Sequence, residues 1–232
     1  MTFAESVLNF YSDLNIREPL PDGIEVLNPY QDAATFEVCR RFYGKFYNDH
    51  LKRFLILGIN PGRFGAGITG VPFTDPVKLE TNFGIETDFP KKRELSADFI
   101  HAMIAAFGGA EKFFSRFFIN SVSPLGFVQS GKNLNYYDTP TLKRAVEPFI
   151  HESLKRMITF NIDRRIAFCL GEGENFRYVK KLNDDLKFFQ EIIPLTHPRF
   201  IMQYKRKDLP RYLKDYLQKL NSALEQGYLL FY

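Results

Sequence analysis

Four short apolar runs punctuate this chain, and each gives way to polar or glycine residues. They are Phe54–Leu57 before Gly58 and Asn60, Phe117–Ser121 with its polar Asn120 and Ser121 end, Arg165–Leu170 before Gly171, and Phe189–Pro194 before Thr196 and His197. Short runs rich in β-branched and aromatic residues, with no alternation, predict strands buried on both faces. The segments between them carry a helical period instead. Phe3, Val7, Leu8, Tyr11 and Leu14 mark one face of a first helix, opened by a Thr2–Glu5 capping box. Asp32 is placed to cap a second helix running to about Asn48, after a loop spanning Pro19 to Pro29.

Ser96 is read as opening a helix with Phe99, Ile100, Met103, Ile104 and Phe107 on one side, closed by Gly108-Gly109. Thr139-Pro140 starts another, with a break or kink expected at Pro148. Phe176, Val179 and Leu182 mark a further helix, and the last runs from about Leu209 to Gln226 with Leu213, Leu217, Leu220 and Leu224 inward. The stretch from Thr74 to Leu95 is read as irregular, and its length suggests a functional loop.

Strands alternating with helices predict an α/β fold of three layers, a central four-stranded parallel sheet flanked by helices. Residues 1–232 are expected to form a single domain. Parallel strands end on one rim, so Asn60, Asn120 or Ser121, and His197 should gather there.

Composition narrows the class. With 45% hydrophobic residues, 25 Phe and no Trp, the chain can build a large aromatic core. The net charge of +4 is too small to argue for nucleic acid alone. The basic clusters Lys91-Lys92-Arg93, Lys155-Arg156 and Arg164-Arg165 read as solvated faces, whereas Lys205-Arg206-Lys207 lies close to His197. Two cysteines, Cys39 and Cys169, exclude a disulfide framework and a four-cysteine iron–sulfur cluster. No leader-like start and no long apolar run are present, so a soluble, cytoplasmic, monomeric protein without membrane contact is expected.

The loop after the first strand carries the densest signal. From Asn60 it runs through Gly62, Gly65, Gly67 and Gly70, which lets backbone pass close to a ligand. No Gly-Lys-Ser/Thr follows, and the glycine spacing does not fit a dinucleotide fold. Gly58-Ile59-Asn60-Pro61-Gly62, then Phe64-Gly65, then Thr69-Gly70-Val71-Pro72-Phe73 resembles motif 1 of the uracil-DNA glycosylase superfamily, in its single-strand-selective monofunctional branch. His197-Pro198 resembles motif 2, and Asn120 to Leu125 followed by Ser130–Leu134 resembles the segment carrying the base-reading residue.

That resemblance implies a monofunctional glycosylase that flips uracil out of single- or double-stranded DNA and hydrolyses its N-glycosidic bond, starting base excision repair. It implies that Asn60 orients the water, that His197 hydrogen-bonds the developing oxyanion of the base, and that Phe73 stacks on it, with the backbone at Ile59 and Gly62 close by. Neither metal nor other cofactor is expected; the partner is DNA containing uracil or another deaminated base. Other readings keep the fold but move the substrate to hypoxanthine or xanthine, or leave a nucleic-acid-binding module without catalysis.

Two departures stand out. The branch has Asn three places before its Pro-Leu pair, where this chain has Ser121, while counting from Ser130-Gly131 gives Asn120. Adjacent strand residues face opposite ways, and the proline is the firmer anchor, so Ser121 is expected to face the base and Asn120 to be structural. The branch's run after the histidine is replaced by Arg199-Phe200-Ile201-Met202-Gln203-Tyr204-Lys205-Arg206. Arg199, Lys205 and Arg206 are expected on phosphates, and Phe200, Met202, Tyr204 and Arg206 are candidates for a wedge in the base stack, Met202 or Tyr204 foremost.

Overall fold

The computed structural model describes residues 1–225. In chain order the elements are α1 (Phe3–Ser12), β1 (Ile24–Leu27), α2 (Ala33–Phe46), β2 (Arg53–Gly58), α3 (Ala66–Thr69), α4 (Pro76–Phe83), α5 (Leu95–Phe107), α6 (Ala110–Phe114) and β3 (Phe117–Ser121). Then follow β4 (Gly126–Gln129), β5 (Lys132–Leu134), α7 (Pro140–Met157), β6 (Ile162–Leu170), α8 (Glu174–Leu186), β7 (Glu191–Leu195), α9 (Pro198–Tyr204) and α10 (Leu209–Glu225). The expected helix end at Gln226 lies outside the described residues.

The four apolar runs form one parallel sheet, in the order β3-β2-β6-β7. Every residue of β2 and β3 is buried, as continuous apolar runs demand when helices cover both faces. Gly58 pairs with Ser121, Leu57 with Cys169, and Leu170 with Leu195, so all four carboxyl ends reach the same rim. The fold class is therefore the one the pattern predicts. Thr2 and Glu5 make the reciprocal capping bonds at the start of α1, and Asp32 caps α2 through the Thr35 N–H.

Several elements differ from the sequence reading. The loop expected from Pro19 to Pro29 contains β1, which pairs with β4, and β4 with β5, in a second, antiparallel sheet. Ser130 and Gly131, both at positive φ, turn β4 into β5, the geometry of a tight hairpin. The irregular stretch after Phe73 holds α4, whose N-cap Asp75 accepts the Lys78 N–H at 2.9 Å. Pro148 lies inside an unbroken α7. The third central strand starts at Ile162, three residues before the expected Arg165, and the fourth runs Glu191–Leu195. The segment after His197 is a short helix, α9, packed on α5.

Beneath the sheet, Arg53 is fully buried yet satisfied. Its guanidinium forms a two-pronged bridge to Asp49 at 2.8 Å, donates to the Phe114 carbonyl at 2.6 Å, and lies against the rings of both Phe3 and Tyr47. This anchors the start of β2 opposite the rim where the site lies.

Candidate active site

Asn60 follows β2 by two residues. Its Oδ1 accepts the backbone N–H of Tyr136 at 3.0 Å, and its Nδ2 donates to the carbonyls of Leu134 at 3.1 Å and Pro61 at 3.3 Å. These bonds fix which way the amide faces. They occupy one of the two lone pairs on Oδ1 and leave the other to accept from a water. Sequence reasoning gave neither Leu134 nor Tyr136 a part in holding Asn60, because both hold it through backbone atoms that carry no residue signature.

Ile59 is held by pairing that continues past the strand ends: its carbonyl accepts from Ser123 at 3.1 Å, and that of Gly58 from Val122 at 3.0 Å. Phe73 sits across from this edge at φ +53°, a left-handed conformation that aromatic residues rarely adopt. The turn before it is tied by Thr69, whose hydroxyl donates to the Thr74 carbonyl at 2.6 Å and accepts the Val71 N–H at 3.1 Å. Held this way, the Phe73 ring lies on Gly58, where a Cβ would fall 2.9 Å from two ring carbons and 3.4 Å from Ser121 Oγ. Ser121, Gly58 and Phe73 therefore share one small space. Asn120 turns to the other face of the sheet. Its Oδ1 accepts the Ser121 N–H at 2.8 Å, it lies near the Tyr11 hydroxyl, and its buried Nδ2 has no partner among the described residues.

His197 closes the rim from the last strand, its ring centroid 6.5 Å from that of Phe73. As N-cap of α9 it accepts the Arg199 N–H on Nδ1 at 3.2 Å, which assigns the ring proton to Nε2. Desolvation, and then the neighbouring Arg199 charge, hold its pKa down to about 4. At neutral pH it is an uncharged imidazole with one N–H to donate, and Nε2 has no partner among the described residues.

Beyond His197, α9 presents two faces. Pro198, Ile201 and Met202, spaced three and four apart, pack into the core, so Met202 is not available as a wedge. Phe200 and Tyr204 point outward, 43% and 65% exposed, with ring centroids 5.5 Å apart. Arg199, Lys205 and Arg206 are also exposed.

A cavity of about 130 Å³ adjoins the loop after Asn60, lined in part by Gly62, Phe64, Glu94, Asn133 and Arg199. Phe64 lies under Arg63 and Lys92, with the cations 4.5 and 5.0 Å from the ring centre. The Glu94 carboxylate fills the space a side chain on Gly65 would need. Burial, then the charge of Asp75, push Glu94 up to about 7, against the pull of Arg199. Glu94 stands in a run of charges that reads as surface. Among the described residues, no three His, Cys, Asp or Glu side chains are grouped to hold a metal ion, and no helix is long and apolar enough to cross a membrane.

The comparisons with known proteins agree with this geometry. A family model described as the uracil DNA glycosylase superfamily matches residues 45–221. The crystal structure of wild-type SMUG2 from Pedobacter heparinus superposes with a TM-score of 0.95 at 44% identity, covering 97% of this chain and 99% of that one. The single-strand selective monofunctional uracil-DNA glycosylase of Rattus norvegicus is 29% identical over 161 residues, 61% of this chain. The match spans about half the length of that relative, 56%. With a family model matched from before the first central strand to within the last helix, and the motif loop and the histidine on one rim, this chain belongs to the uracil DNA glycosylase superfamily.

Proposed function

We propose that this chain is a monofunctional DNA glycosylase that excises uracil from single- and double-stranded DNA by base flipping and hydrolysis of the N-glycosidic bond, as the first step of base excision repair. The observation that carries the reading is that one rim of the sheet holds Asn60, with one free carbonyl lone pair, and His197, a neutral imidazole with a free N–H whose ring lies 6.5 Å from that of Phe73.

Uracil departs as an anion while the sugar takes on oxocarbenium character. The His197 Nε2–H meets the negative charge growing on the base O2, and because its pKa is near 4 the ring is neutral and meets that charge with a hydrogen bond rather than a full positive charge. Asn60 Oδ1 accepts from the attacking water and aims it at the far face of the sugar. An amide is too weak a base to deprotonate that water, so leaving-group stabilisation supplies most of the rate. Phe73 stacks on the flipped base, the backbone at Ile59 and Gly62 borders it, and Ser121 Oγ offers one hydrogen bond to its polar edge. Arg199, Lys205 and Arg206 hold phosphates, and Tyr204, with Phe200, fills the gap left in the stack. The chain works as a single domain and a monomer in the cytoplasm, with DNA as its partner.

Ser121 favours a second reading of substrate range. A hydroxyl is less selective than an amide, which would pair two groups on uracil, so other deaminated bases such as hypoxanthine and xanthine are plausible substrates of the same pocket. Incubation with oligonucleotides carrying one uracil, hypoxanthine or xanthine, in EDTA, followed by alkali, tests both. Strand cleavage at uracil is expected, and no cleavage at any of the three bases would overturn the enzymatic reading.

A further inference from the structure

We propose that Tyr136 and Asn175 form a buried relay that sets the separation between Asn60 and His197, so that both are positioning residues for the reaction proposed above, on which the catalytic part of this inference rests. Tyr136 is fully buried and Asn175 is 1% exposed. The Tyr136 backbone N–H is the donor to Asn60 Oδ1, and its hydroxyl donates to Asn175 Oδ1 at 2.9 Å. Asn175, in the first turn of α8, uses its Nδ2 hydrogens on the Leu170 carbonyl at 3.0 Å and on Cys169 Sγ at 3.2 Å, the last two residues of β6.

The other end of the relay reaches the histidine. Gly171 follows Leu170, and its N–H donates to the Leu195 carbonyl at 2.7 Å, two residues before His197. A Cβ on Gly171 would lie in ordinary contact with His197 Cδ2 at 3.7 Å and with Asn175 Cβ at 3.8 Å, so the imidazole edge and the stem of Asn175 flank the same glycine. Asn60 and His197 come from opposite ends of the site, on loops after β2 and β7. The Tyr136–Asn175 pair joins the first loop to the strand lying between them.

The chemistry of the pair suits this task. Tyr136 is kept neutral, its pKa raised by burial, so its hydroxyl retains the proton it donates to Asn175 Oδ1. Asn175 spends one carbonyl and both amide hydrogens on named partners, a set that only one side-chain orientation satisfies. Loss of the hydroxyl would leave Asn175 Oδ1 unpaired and free the Tyr136 segment to shift, and with it the amide that aims the water. Small misplacements of an aiming group cost rate without costing binding.

Tyr178 is the matched control. Its ring packs 5.1 Å from that of Tyr136, but its buried hydroxyl has no hydrogen-bond partner among the described residues. Tyr136→Phe, Asn175→Ala, the double variant and Tyr178→Phe are compared with the wild type by single-turnover excision, by affinity for duplex carrying an uncleavable 2′-fluoro uracil nucleotide, and by the NMR signals of the Asn60 side-chain amide, assigned from their loss in Asn60→Asp. Tyr136→Phe and Asn175→Ala are each expected to slow excision about tenfold, the double variant no more than the worse single, with affinity within twofold and the Asn60 amide signals displaced. Tyr178→Phe should match the wild type in all three. An unchanged rate and unmoved Asn60 signals in Tyr136→Phe, or an equal loss in Tyr178→Phe, overturns the relay. If the wild type excises no base, the proposed function fails, and the Asn60 signals alone decide whether the relay exists.

Discussion

The Phe73 ring rests on the bare α-carbon of Gly58, close enough that a methyl group there would lie 2.9 Å from two ring carbons. No relaxed contact between carbons is that short, and Phe73 has little freedom to retreat because its backbone is already left-handed and tied through Thr69. Gly58→Ala should therefore displace the ring from the position in which it would stack on a base. Overpacking of this kind costs about 1–3 kcal/mol of stability. The expected outcome is a folded protein, by thermal denaturation, whose excision rate falls at least tenfold. Wild-type activity would show that the ring position is not used.

Under the proposed roles, Asn60→Ala removes the water-aiming carbonyl, and His197→Ala removes the donor to the departing base. Each should leave DNA binding near normal and lower single-turnover excision by about two orders of magnitude, the scale of one preorganised polar group. Asn60→Asp should be no better than Ala. A carboxylate would face the carbonyls of Leu134 and Pro61, which the amide now satisfies as a donor. Rates within threefold of wild type in Asn60→Ala and His197→Ala would rule out these roles.

What the chain discloses of this site depends on which atoms do the work. Among the central strands, β2 and β3 are legible because burial on both faces demands an unbroken apolar run, whereas β7, expected to be buried on both faces, is an edge strand that is mostly half-buried and shows only as a short β-branched run. The antiparallel ribbon is not, since β5 is three residues long and mostly exposed, so burial imposes no apolar pattern on it. Yet that ribbon delivers Leu134 and Tyr136, whose backbone groups hold Asn60. Met202 and Tyr204 look equivalent two residues apart in a loop. Only the short helix capped by His197 turns one inward and the other out.

The acid–base state of His197 gives a pH test. Its folded-state value lies near 4, below the ordinary 6.5, so the unfolded chain takes up a proton in that interval and the native ring does not. The stability this residue contributes is present above pH 6.5 and lost as pH falls through 4. Between pH 5 and 8 the ring should stay neutral with its proton on Nε2, observable by nitrogen NMR. Excision should show no histidine-like titration there. A ring titrating near 6.5 would contradict the assignment.

Glu94 carries the opposite sign. Its folded-state value is raised from about 4.5 to about 7, so the native protein keeps a proton that the unfolded chain releases between those values. Stability from this residue is full below pH 4.5 and declines as pH rises through 7. Glu94→Gln imitates the protonated form. It should be close to neutral at pH 5 and stabilising at pH 8 by about 3 kcal/mol, since one pKa unit is worth about 1.4 kcal/mol and the value moves from 4.5 to about 7 with the pull of Arg199 included. Melting temperatures at the two pH values check it, and an equal effect at both would exclude titration of Glu94 as the cause.

Ser121 and Asn120 divide the end of β3 between the two faces of the sheet. Ser121 Oγ lies by Gly58 and the Phe73 ring, while Asn120 bonds the Ser121 N–H and turns toward Tyr11. A base stacked on Phe73 would meet the serine hydroxyl and not the amide. Ser121→Ala should then weaken excision of uracil by about 1 kcal/mol, roughly fivefold, the net worth of one ordinary hydrogen bond. Ser121→Asn should raise the preference for uracil over hypoxanthine and xanthine, because an amide pairs both the N3–H and O4 of uracil and opposes a purine edge of different pattern. Asn120→Ala should lower the melting temperature while leaving the ratio of rates among the three bases unchanged, since its side chain supports the strand from behind. Competition between uracil and hypoxanthine oligonucleotides in one reaction reads that ratio directly. A shift in base preference from Asn120→Ala, with none from Ser121→Asn, would reverse the assignment.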